Sequence, residues 1–379
     1  MRGALILLAV GMLSACAGDS PDGTSATGGA NTGLRFLRSG GDEEGFARAT
    51  EVRDLRFPAD HGSHPDFRTE WWYFTGNLTT ADKREVGFQL TFFRFGLRPS
   101  GTAAEGSDWR STQLWMAHFA LTDAANGRFV ARERMAREAV GLAGAEAQPL
   151  RVWVKDWSME GRSEGGALAL HLEARDGDIG LALDVATNDS PVAHGEKGLD
   201  RKGPEPGNAS YYYSVPRLTA KGSVTLEGEE LPVSGSAWMD REWGTSALSE
   251  GVTGWDWFAL QLSNGGSLMF YRLRQEDGGT SAFSAGTLVG RDGGVRTLRA
   301  GDVELSALKE WASGKTGARY PVAWSLEVRS AGLKLVIEPL LADQELDLSV
   351  RYWEGAVRAA GSWQGEALKA AGYVELTGY

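Results

Sequence analysis

The sequence predicts an all-β protein, built as a barrel or a sandwich. Several segments alternate apolar and polar side chains, which is the pattern of a strand with one buried face. Clear examples span residues 85–92, 168–174 and 333–338. Turn dipeptides of the Asn-Gly and Asp-Gly type separate many such segments, and the chain contains 51 glycines, as is typical of all-β barrels and sandwiches. The best helical candidates are residues 129–140 and 306–311.

The N terminus predicts a secretory signal peptide that ends at a lipidated cysteine. Arg2 is followed by an apolar stretch and then by small residues that precede Cys16, in the order typical of exported proteins. The apolar stretch is much shorter than the ~20 residues that a membrane-spanning helix needs. Leu-Ser-Ala-Cys at 13–16 resembles a bacterial lipobox, in which the signal is cut before a cysteine that receives a diacylglycerol. The alternative is an ordinary cleaved signal in which Cys16 has no role.

From this pattern we expect residues 1–15 to be removed and Cys16 to anchor the protein to a membrane. Ala17, rather than an aspartate, follows the cysteine. This resembles lipoproteins that are sorted to the bacterial outer membrane with their body facing the periplasm. Residues 16–45 are mainly small and polar, so they bury too little apolar surface to fold and are predicted to form a flexible tether.

The rest of the chain is predicted to form two related domains, at residues 46–230 and 231–379. Roughly 330 residues are more than one small core usually holds. A faint repeat also relates the two halves. In each, an acidic residue, a Trp and an aromatic residue precede a turn and then an aromatic–Arg pair, first from residue 70 and again from residue 256. The polar turn at 227–230 is taken as the boundary.

Composition excludes several functional classes. The net charge is −11 and there are no basic clusters, which argues against nucleic-acid binding because that needs a positive surface. Cys16 is the only cysteine, so an intramolecular disulfide, a cysteine nucleophile and a thiolate metal cluster are excluded. The sequence has neither a phosphate-binding loop nor a dinucleotide fingerprint, and we expect no cofactor.

The most informative polar residues lie in the aromatic stretch 238–244. If this stretch is a strand, Asp240 and Glu242 share one face, and Arg241 and Trp243 share the other. In an aromatic lumen, burial raises the pKa of a carboxyl group, and the neutral acid can then donate a proton near neutral pH. Nearby indoles would stabilise a developing cation. The alternative, which spacing alone favours, is a structural salt-bridged patch of Asp240, Arg241 and Glu242.

A second group of polar residues lies near the start of the first domain. His61 and His64, each beside an aspartate, carry imidazoles of the kind that bind zinc or iron. Because Pro65 breaks regular structure there, we prefer a hydrogen-bonded loop and predict no metal site. Ser63 lacks the strand–turn–helix context of a hydrolase nucleophile.

Three stretches resemble motifs of the AttH-like, carotenoid 1,2-hydratase-related family. They are residues 57–78, 238–244 and 372–379, and the resemblance extends over both predicted domains. It implies two tandem lipocalin-like (calycin-type) antiparallel β-barrels with few short helices. Members of this family are often described only as predicted secreted hydrolases.

The resemblance also implies a chemistry. The hydratase branch adds water across a terminal carbon–carbon double bond of an acyclic carotenoid, without a cofactor, and uses an acid among aromatic residues. Where that branch has a His near the acidic stretch, this chain has Arg241. Fungal pericyclase-like proteins with this fold bind apolar polyenes, so an apolar ligand is expected here too.

The resulting hypothesis is a cofactor-free hydratase or isomerase of an isoprenoid or another long, lipid-like molecule. Asp240 would be the general acid, Glu242 its partner or the base that orients water, and Asp256 a second acid. Trp243 and Trp257 would stabilise the cation, and these five residues are expected to converge on one apolar cavity. Four further residues are expected to line the same space, namely His64, Glu70, Trp71 and Trp72.

Two other functions stay open. A periplasmic lipocalin-like carrier would hold a lipid and catalyse nothing. A secreted hydrolase would need a nucleophile with a recognisable base, which the sequence does not show. The enzyme and the carrier are distinguished by whether the carboxyl groups face an apolar cavity or one another.

Overall fold

The computed structural model describes residues 44–99, 111–164, 166–246 and 248–379. The predicted signal peptide, Cys16 and almost all of the predicted tether lie outside these residues. The described chain is nearly all strand, with single 3-10 turns at Ala59–His61, Ala139–Gly141, Ala300–Asp302 and Arg329–Ala331. No helix in the described ranges is long and apolar enough to cross a membrane.

The first sheet has thirteen antiparallel strands in the described chain. They are β1 (Thr69–Thr80), β2 (Glu85–Gly96), β3 (Gln113–Asp123), β4 (Arg128–Arg137), β5 (Ala143–Ala147), β6 (Leu150–Val154), β7 (Trp157–Glu164), β8 (Ala167–Asp176), β9 (Ile179–Thr187), β10 (Val192–Ala193), β11 (Leu199–Arg201), β12 (Ala209–Leu226) and β13 (Glu229–Gly244). The main order is β4-β3-β2-β1-β13-β12-β9-β8-β7-β6-β5, with β10 and β11 paired to β12. Because β6 also packs against β2, β3 and β4, the sheet curls into a nearly closed barrel.

The second sheet has ten strands within residues 248–379 and follows the same plan. They are β14 (Val252–Leu262), β15 (Ser267–Gln275), β16 (Ala285–Val289), β17 (Val295–Arg299), β18 (Glu304–Ala312), β19 (Arg319–Val328), β20 (Leu333–Pro339), β21 (Glu345–Asp347), β22 (Arg351–Trp363) and β23 (Glu366–Thr377). The main order is β17-β16-β15-β14-β23-β22-β20-β19-β18, with β21 paired to β22.

The prediction of an all-β protein with two tandem lipocalin-like barrels is confirmed. The two helical candidates are wrong, because residues 129–137 lie in β4 and residues 306–311 lie in β18. Each of these strands ends the main path of its sheet and buries few side chains. The two-residue alternation that marks a half-buried strand is therefore weak in both.

Each barrel has its own apolar core, and a third apolar cluster lies between the barrels. The first core contains Trp72, Trp115 and Trp157, and the second contains Trp324 and Trp353. The third cluster is formed by side chains that point away from these cores, including Tyr73, Tyr212, Trp238, Trp257, Tyr271 and Tyr373. The two barrels are therefore packed against each other through aromatic side chains.

The chain passes from one sheet to the other between Gly244 and Val252, later than the predicted division at 230/231. Residues 227–228 form the hairpin turn between β12 and β13, and β13 then pairs with β12 and β1 as far as Gly244. Residues 237–244 are buried on both faces, as expected for a strand between two layers. A polar turn inside a sheet carries the same sequence signal as a polar link between domains.

Candidate functional site

A cavity of about 370 Å³ lies between the two barrels. Its walls come from β1, β2, β3, β12 and β13 on one side and from β14, β15, β22 and β23 on the other. Most wall groups are apolar or aromatic, including Trp71, Tyr73, Phe93, Met116, Tyr212, Trp255, Trp257 and Tyr352. The barrel interiors are filled by the two cores, so this space lies outside the lumen in which the sequence hypothesis placed the acid.

The strand β13 divides its side chains between the cavity and the first barrel. Asp240 and Glu242 line the cavity, whereas Trp243 belongs to the first core and the Arg241 guanidinium is buried against Trp72 of that core. The predicted sharing of faces within 238–244 is confirmed. It follows from the alternation of side chains along any strand.

Asp240 is buried among neutral hydrogen-bond donors. Its carboxyl accepts hydrogen bonds from the indole Nε1 of Trp238 at 2.6 Å and from the hydroxyls of Tyr212 and Ser214. Among the described residues no lysine or arginine forms an ion pair with it. Burial raises the pKa of Asp240 to about 7, although the three hydrogen bonds oppose this shift. The salt-bridge alternative therefore does not hold for Asp240.

Glu242 lies on the same wall but has a cation beside it. Its Oε1 accepts a hydrogen bond from Ser210 at 2.5 Å and lies 3.4 Å from Nζ of Lys202. Lys202 is shared with Asp200, at 2.6 Å. Burial raises the pKa of Glu242, and Lys202 limits this rise. The salt-bridge interpretation thus holds in part for Glu242, although with Lys202 in place of Arg241.

The opposite wall carries two more carboxyl groups, which the sequence analysis missed. Glu354 on β22 and Glu375 on β23 are directly opposed in the strand register, and Glu375 lines the cavity. Burial raises the pKa of Glu375 to about 7 and that of Glu354 well above its usual range. The sequence does contain a signal that could have identified them, because each is the one glutamate inside an otherwise apolar stretch, 352–357 or 372–376.

Trp257 and Trp71 lie where they were expected, on the cavity wall. The Nε1 of Trp257 donates to the hydroxyl of Tyr212 at 3.0 Å, and that hydroxyl in turn donates to Asp240. Trp257 therefore reaches the carboxyl of Asp240 through one intervening hydroxyl.

Asp256 and Trp243 do not reach the cavity, so the expectation of one shared space is wrong for both. Asp256 is fully buried and lies 2.7 Å from Arg272 and 3.2 Å from Arg274. It also accepts a hydrogen bond from Tyr379 at 2.6 Å. Strand alternation turns Asp256 away from the face that presents Trp255 and Trp257, and a buried carboxylate with two arginines is a structural ion cluster.

Glu70, His64 and Trp72 lie inside the first barrel rather than at the cavity. Glu70 is bound by Arg94 and by Arg241, the latter at 2.7 Å. Although burial opposes it, these two guanidinium groups hold the pKa of Glu70 well below its usual range. The His64 ring stacks on Trp243 with centroids 3.9 Å apart, and its Nδ1 lies 3.2 Å from Glu70.

His61 also has a structural environment. Its ring nitrogens lie 2.6 Å from the hydroxyl of Tyr213 and 3.2 Å from Ser163. Burial and the charge of Arg241 lower the pKa of His61 to about 4. Within the described ranges no three His, Cys, Asp or Glu side chains are grouped as a metal site requires.

The arrangement thus places carboxyl groups with raised pKa values on two facing walls of an aromatic cavity. Such groups can hold a proton near neutral pH and deliver it to a bound molecule. The surrounding aromatic faces can stabilise a cation that forms there.

Comparison with known proteins relates the described body to one family. The profile of the AttH-like family matches residues 48–379. Kievitone hydratase from Fusarium solani subsp. phaseoli is 22% identical over 253 residues, which cover 62% of this chain and 68% of that protein.

Two solved structures have a similar fold. A crystal structure from Nitrosomonas europaea that carries the AttH description is 35% identical, with a TM-score of 0.77 over 88% of this chain and 100% of that chain. The crystal structure of kievitone hydratase from Nectria haematococca is 16% identical, with a TM-score of 0.65 over 88% of this chain and 96% of that one. At 16% identity, the similarity to kievitone hydratase from Nectria haematococca concerns the fold alone.

Proposed function

This chain belongs to the AttH-like family, and from that premise we propose that it is a cofactor-free hydratase of an apolar alkene bound between its two barrels. The observation that carries the proposal is Asp240. Its carboxyl lines an aromatic cavity, has no cationic partner among the described residues, and has a pKa of about 7 because it is buried. A general acid works best when its pKa lies near the working pH.

In the proposed reaction Asp240 gives its proton to one carbon of the double bond. The positive charge develops on the other carbon, where the faces of Trp257, Tyr212 and Tyr73 are available to stabilise it. A water molecule, oriented by Glu242, then forms the new carbon–oxygen bond, and the proton that it releases restores the acid form of Asp240. Glu242 already accepts a hydrogen bond from Ser210 and lies beside Lys202. We therefore assign it the role of orienting the water rather than that of the acid.

The proposed substrate is an isoprenoid or a similar uncharged molecule with one reactive alkene. The name of the relative kievitone hydratase supports hydration as the reaction class. The cavity of about 370 Å³ lies at the lower end of the range for small-molecule pockets. A compact molecule therefore fits inside it, and a long chain would extend out of the cleft.

The test is direct hydration by the purified protein. Kievitone and an acyclic carotenoid are incubated separately with the protein in water enriched in oxygen-18. The expected result is a product heavier by one labelled water with at least one of the two. Retention of either compound without conversion would instead favour a lipid carrier, and mass spectrometry of lipids extracted from the purified protein would then identify its ligand.

We also propose that the protein is an exported lipoprotein anchored through Cys16 at the outer membrane. The support is the order of the first sixteen residues. The variant Cys16→Ser should remain unprocessed or be released as soluble protein, whereas the unchanged protein should stay with membranes after washing without detergent. Equal membrane retention of mature-sized protein in both cases would contradict the anchor.

A further inference from the structure

The two glutamates of the second barrel form a close carboxyl pair. Glu354 and Glu375 are directly opposed on the antiparallel strands β22 and β23, and opposed residues in a ladder hold their side chains side by side. Glu354 is almost completely buried, and Glu375 lines the cavity. No lysine or arginine among the described residues forms an ion pair with either carboxyl.

The hydrogen bonds of this pair leave one buried carboxyl oxygen without a donor, and this oxygen can carry a proton. Tyr73 donates its hydroxyl to Oε1 of Glu354 at 2.8 Å, and the indole of Trp255 donates to Glu375 at 2.7 Å. Oε2 of Glu354 is buried and accepts from no donor. Two adjacent carboxylates without a cation repel each other strongly in a low-dielectric site. A proton on Glu354 that is donated to Glu375 removes the repulsion and satisfies the buried oxygen.

Asp240 and Glu375 line the same cavity, one from each barrel. Tyr73 is the strand partner of Asp240 in the pairing of β1 with β13, and its hydroxyl contacts Glu354. A molecule in the cavity can therefore contact an acid of the first barrel and one carboxyl of the pair on the second. Hydration of an alkene needs both a proton donor and a group that accepts the proton of the attacking water.

We propose that Glu375 is a second catalytic residue, which accepts the proton of the attacking water, and that Glu354 is a positioning residue whose neutral carboxyl donates a hydrogen bond to it. This inference rests on the proposed hydratase function. In the balanced step, the Asp240 proton bonds to one alkene carbon, the water oxygen bonds to the other, and the proton of that water moves to Glu375. Transfer of this proton back to Asp240 across the cavity completes the addition of one water.

The first measurement needs no substrate. At about two pH units above the pKa of Glu375, which is about 7, infrared spectra of the Asp240→Asn protein should still show the carbonyl band of a protonated carboxyl. This band belongs to the pair, because burial raises the pKa of Glu354 well above its usual range. Adding Glu354→Gln should remove this band, because the residue that holds the proton is replaced. The matched control is Glu345→Gln, a buried glutamate of the second barrel that is bonded to Tyr320 at 2.9 Å and lies away from the cavity; it should leave the band unchanged. A band that persists in the Glu354→Gln protein overturns the shared proton.

The second measurement is turnover of whichever probe the unchanged protein hydrates. Glu375→Gln should lower the rate by about 10²–10⁴, the usual contribution of a general base. Glu354→Gln keeps a donor and should stay active. Glu354→Leu removes the donor, so the pKa of Glu375 should rise and the acidic limb of the kcat/KM profile should move to higher pH.

The outcomes separate the two proposals. If the unchanged protein hydrates neither probe, the hydratase function fails and the catalytic role of Glu375 falls with it, whatever the infrared result. If it is active and Glu375→Gln retains full turnover, the role of Glu375 alone is overturned. Should Glu375→Gln fail to fold, the comparison of the two Glu354 variants decides, and an unmoved pH limb in Glu354→Leu contradicts the inference.

Discussion

Two buried aspartates on consecutive strands of the chain, β13 and β14, show how the surroundings of one residue set its chemistry. Asp240 accepts hydrogen bonds from an indole and two hydroxyls, all of which are neutral. Asp256 is held by Arg272 and Arg274. Neutral donors offset only part of the cost of burying a charge, so Asp240 keeps a proton to higher pH, whereas Asp256 is part of a buried ion cluster.

Asp240→Asn should lower turnover by about 10²–10⁴ with little loss of stability, because asparagine preserves the volume but cannot deliver a proton. Its oxygen can still accept the hydrogen bonds of Trp238 and Ser214, and the Tyr212 hydroxyl can rotate to accept from the new amide. Turnover and melting temperature are measured on one preparation. A variant that melts early but has normal activity per folded molecule would show that Asp240 is not the catalytic acid.

Asp256→Asn should show the opposite pattern. Removing one partner of a buried ion pair costs about 3–5 kcal/mol, and the smaller figure is expected because both arginines reach water. Activity per folded molecule should be unchanged, since Asp256 faces away from the cavity. Urea unfolding and turnover of the folded fraction check this prediction. A loss of turnover without a loss of stability would show that Asp256 takes part in the reaction.

At the scale of single strands, β13 performs two functions because its side chains alternate. Its even-numbered residues 240 and 242 line the cavity, and its odd-numbered residues 241 and 243 close the ion network and core of the first barrel. A shift of the strand by one position would exchange these sets. The pairing of β13 with strands on both sides fixes the register.

The close approach of β2 to the second barrel depends on Gly87. A Cβ atom at this position would lie 2.5 Å from Cβ of Ala356 and 2.7 Å from the hydroxyl of Tyr373, both on the second barrel. Gly87→Ala should therefore push the barrels apart and cost about 1–3 kcal/mol by overpacking.

Gly301→Ala is the matched control, because a Cβ there meets no atom within 4 Å. Thermal melting and binding of an apolar fluorescent probe are compared for the two variants. Equal melting temperatures for Gly87→Ala and the unchanged protein would show that the barrels tolerate the separation.

At the scale of the whole molecule, the site exists only because two barrels meet. Each barrel alone would expose the outer face that carries its carboxyl groups of the cavity. Packing the outer faces together buries Asp240 and Glu375 and raises the pKa of each to about 7. The proton-holding property of the cavity is therefore a property of the interface.

This burial predicts how stability depends on pH. The folded pKa of Asp240, about 7, lies above its usual value of 3.8, so folding favours the protonated form. Its stabilising contribution is full below the usual pKa and is lost as pH rises from 3.8 towards 7. Over this window the unchanged protein should lose up to about 4 kcal/mol relative to Asp240→Asn. Urea midpoints at several pH values measure this, and a difference that does not vary with pH would contradict the raised pKa.

Much of the fold followed from local sequence pattern. The alternation in 85–92 and 333–338 predicted strands β2 and β20, and the alternation of 240 and 242 against 241 and 243 predicted their separate faces. These features depend on neighbours in the chain, since side chains of any strand point to opposite sides. The order of residues alone was therefore enough to establish them.

The remaining features of the site were decided by the tertiary structure. Glu354 meets Glu375 only through the register of β22 with β23, and Asp256 meets Arg272 and Arg274 through β15. That Asp240 faces a second barrel rather than water depends on how two sheets pack over their whole surfaces. Alternation identifies which residues share a face, but it does not identify what lies opposite that face, because the opposing atoms come from other strands, some of them, such as β22 and β23, more than a hundred positions away in the chain.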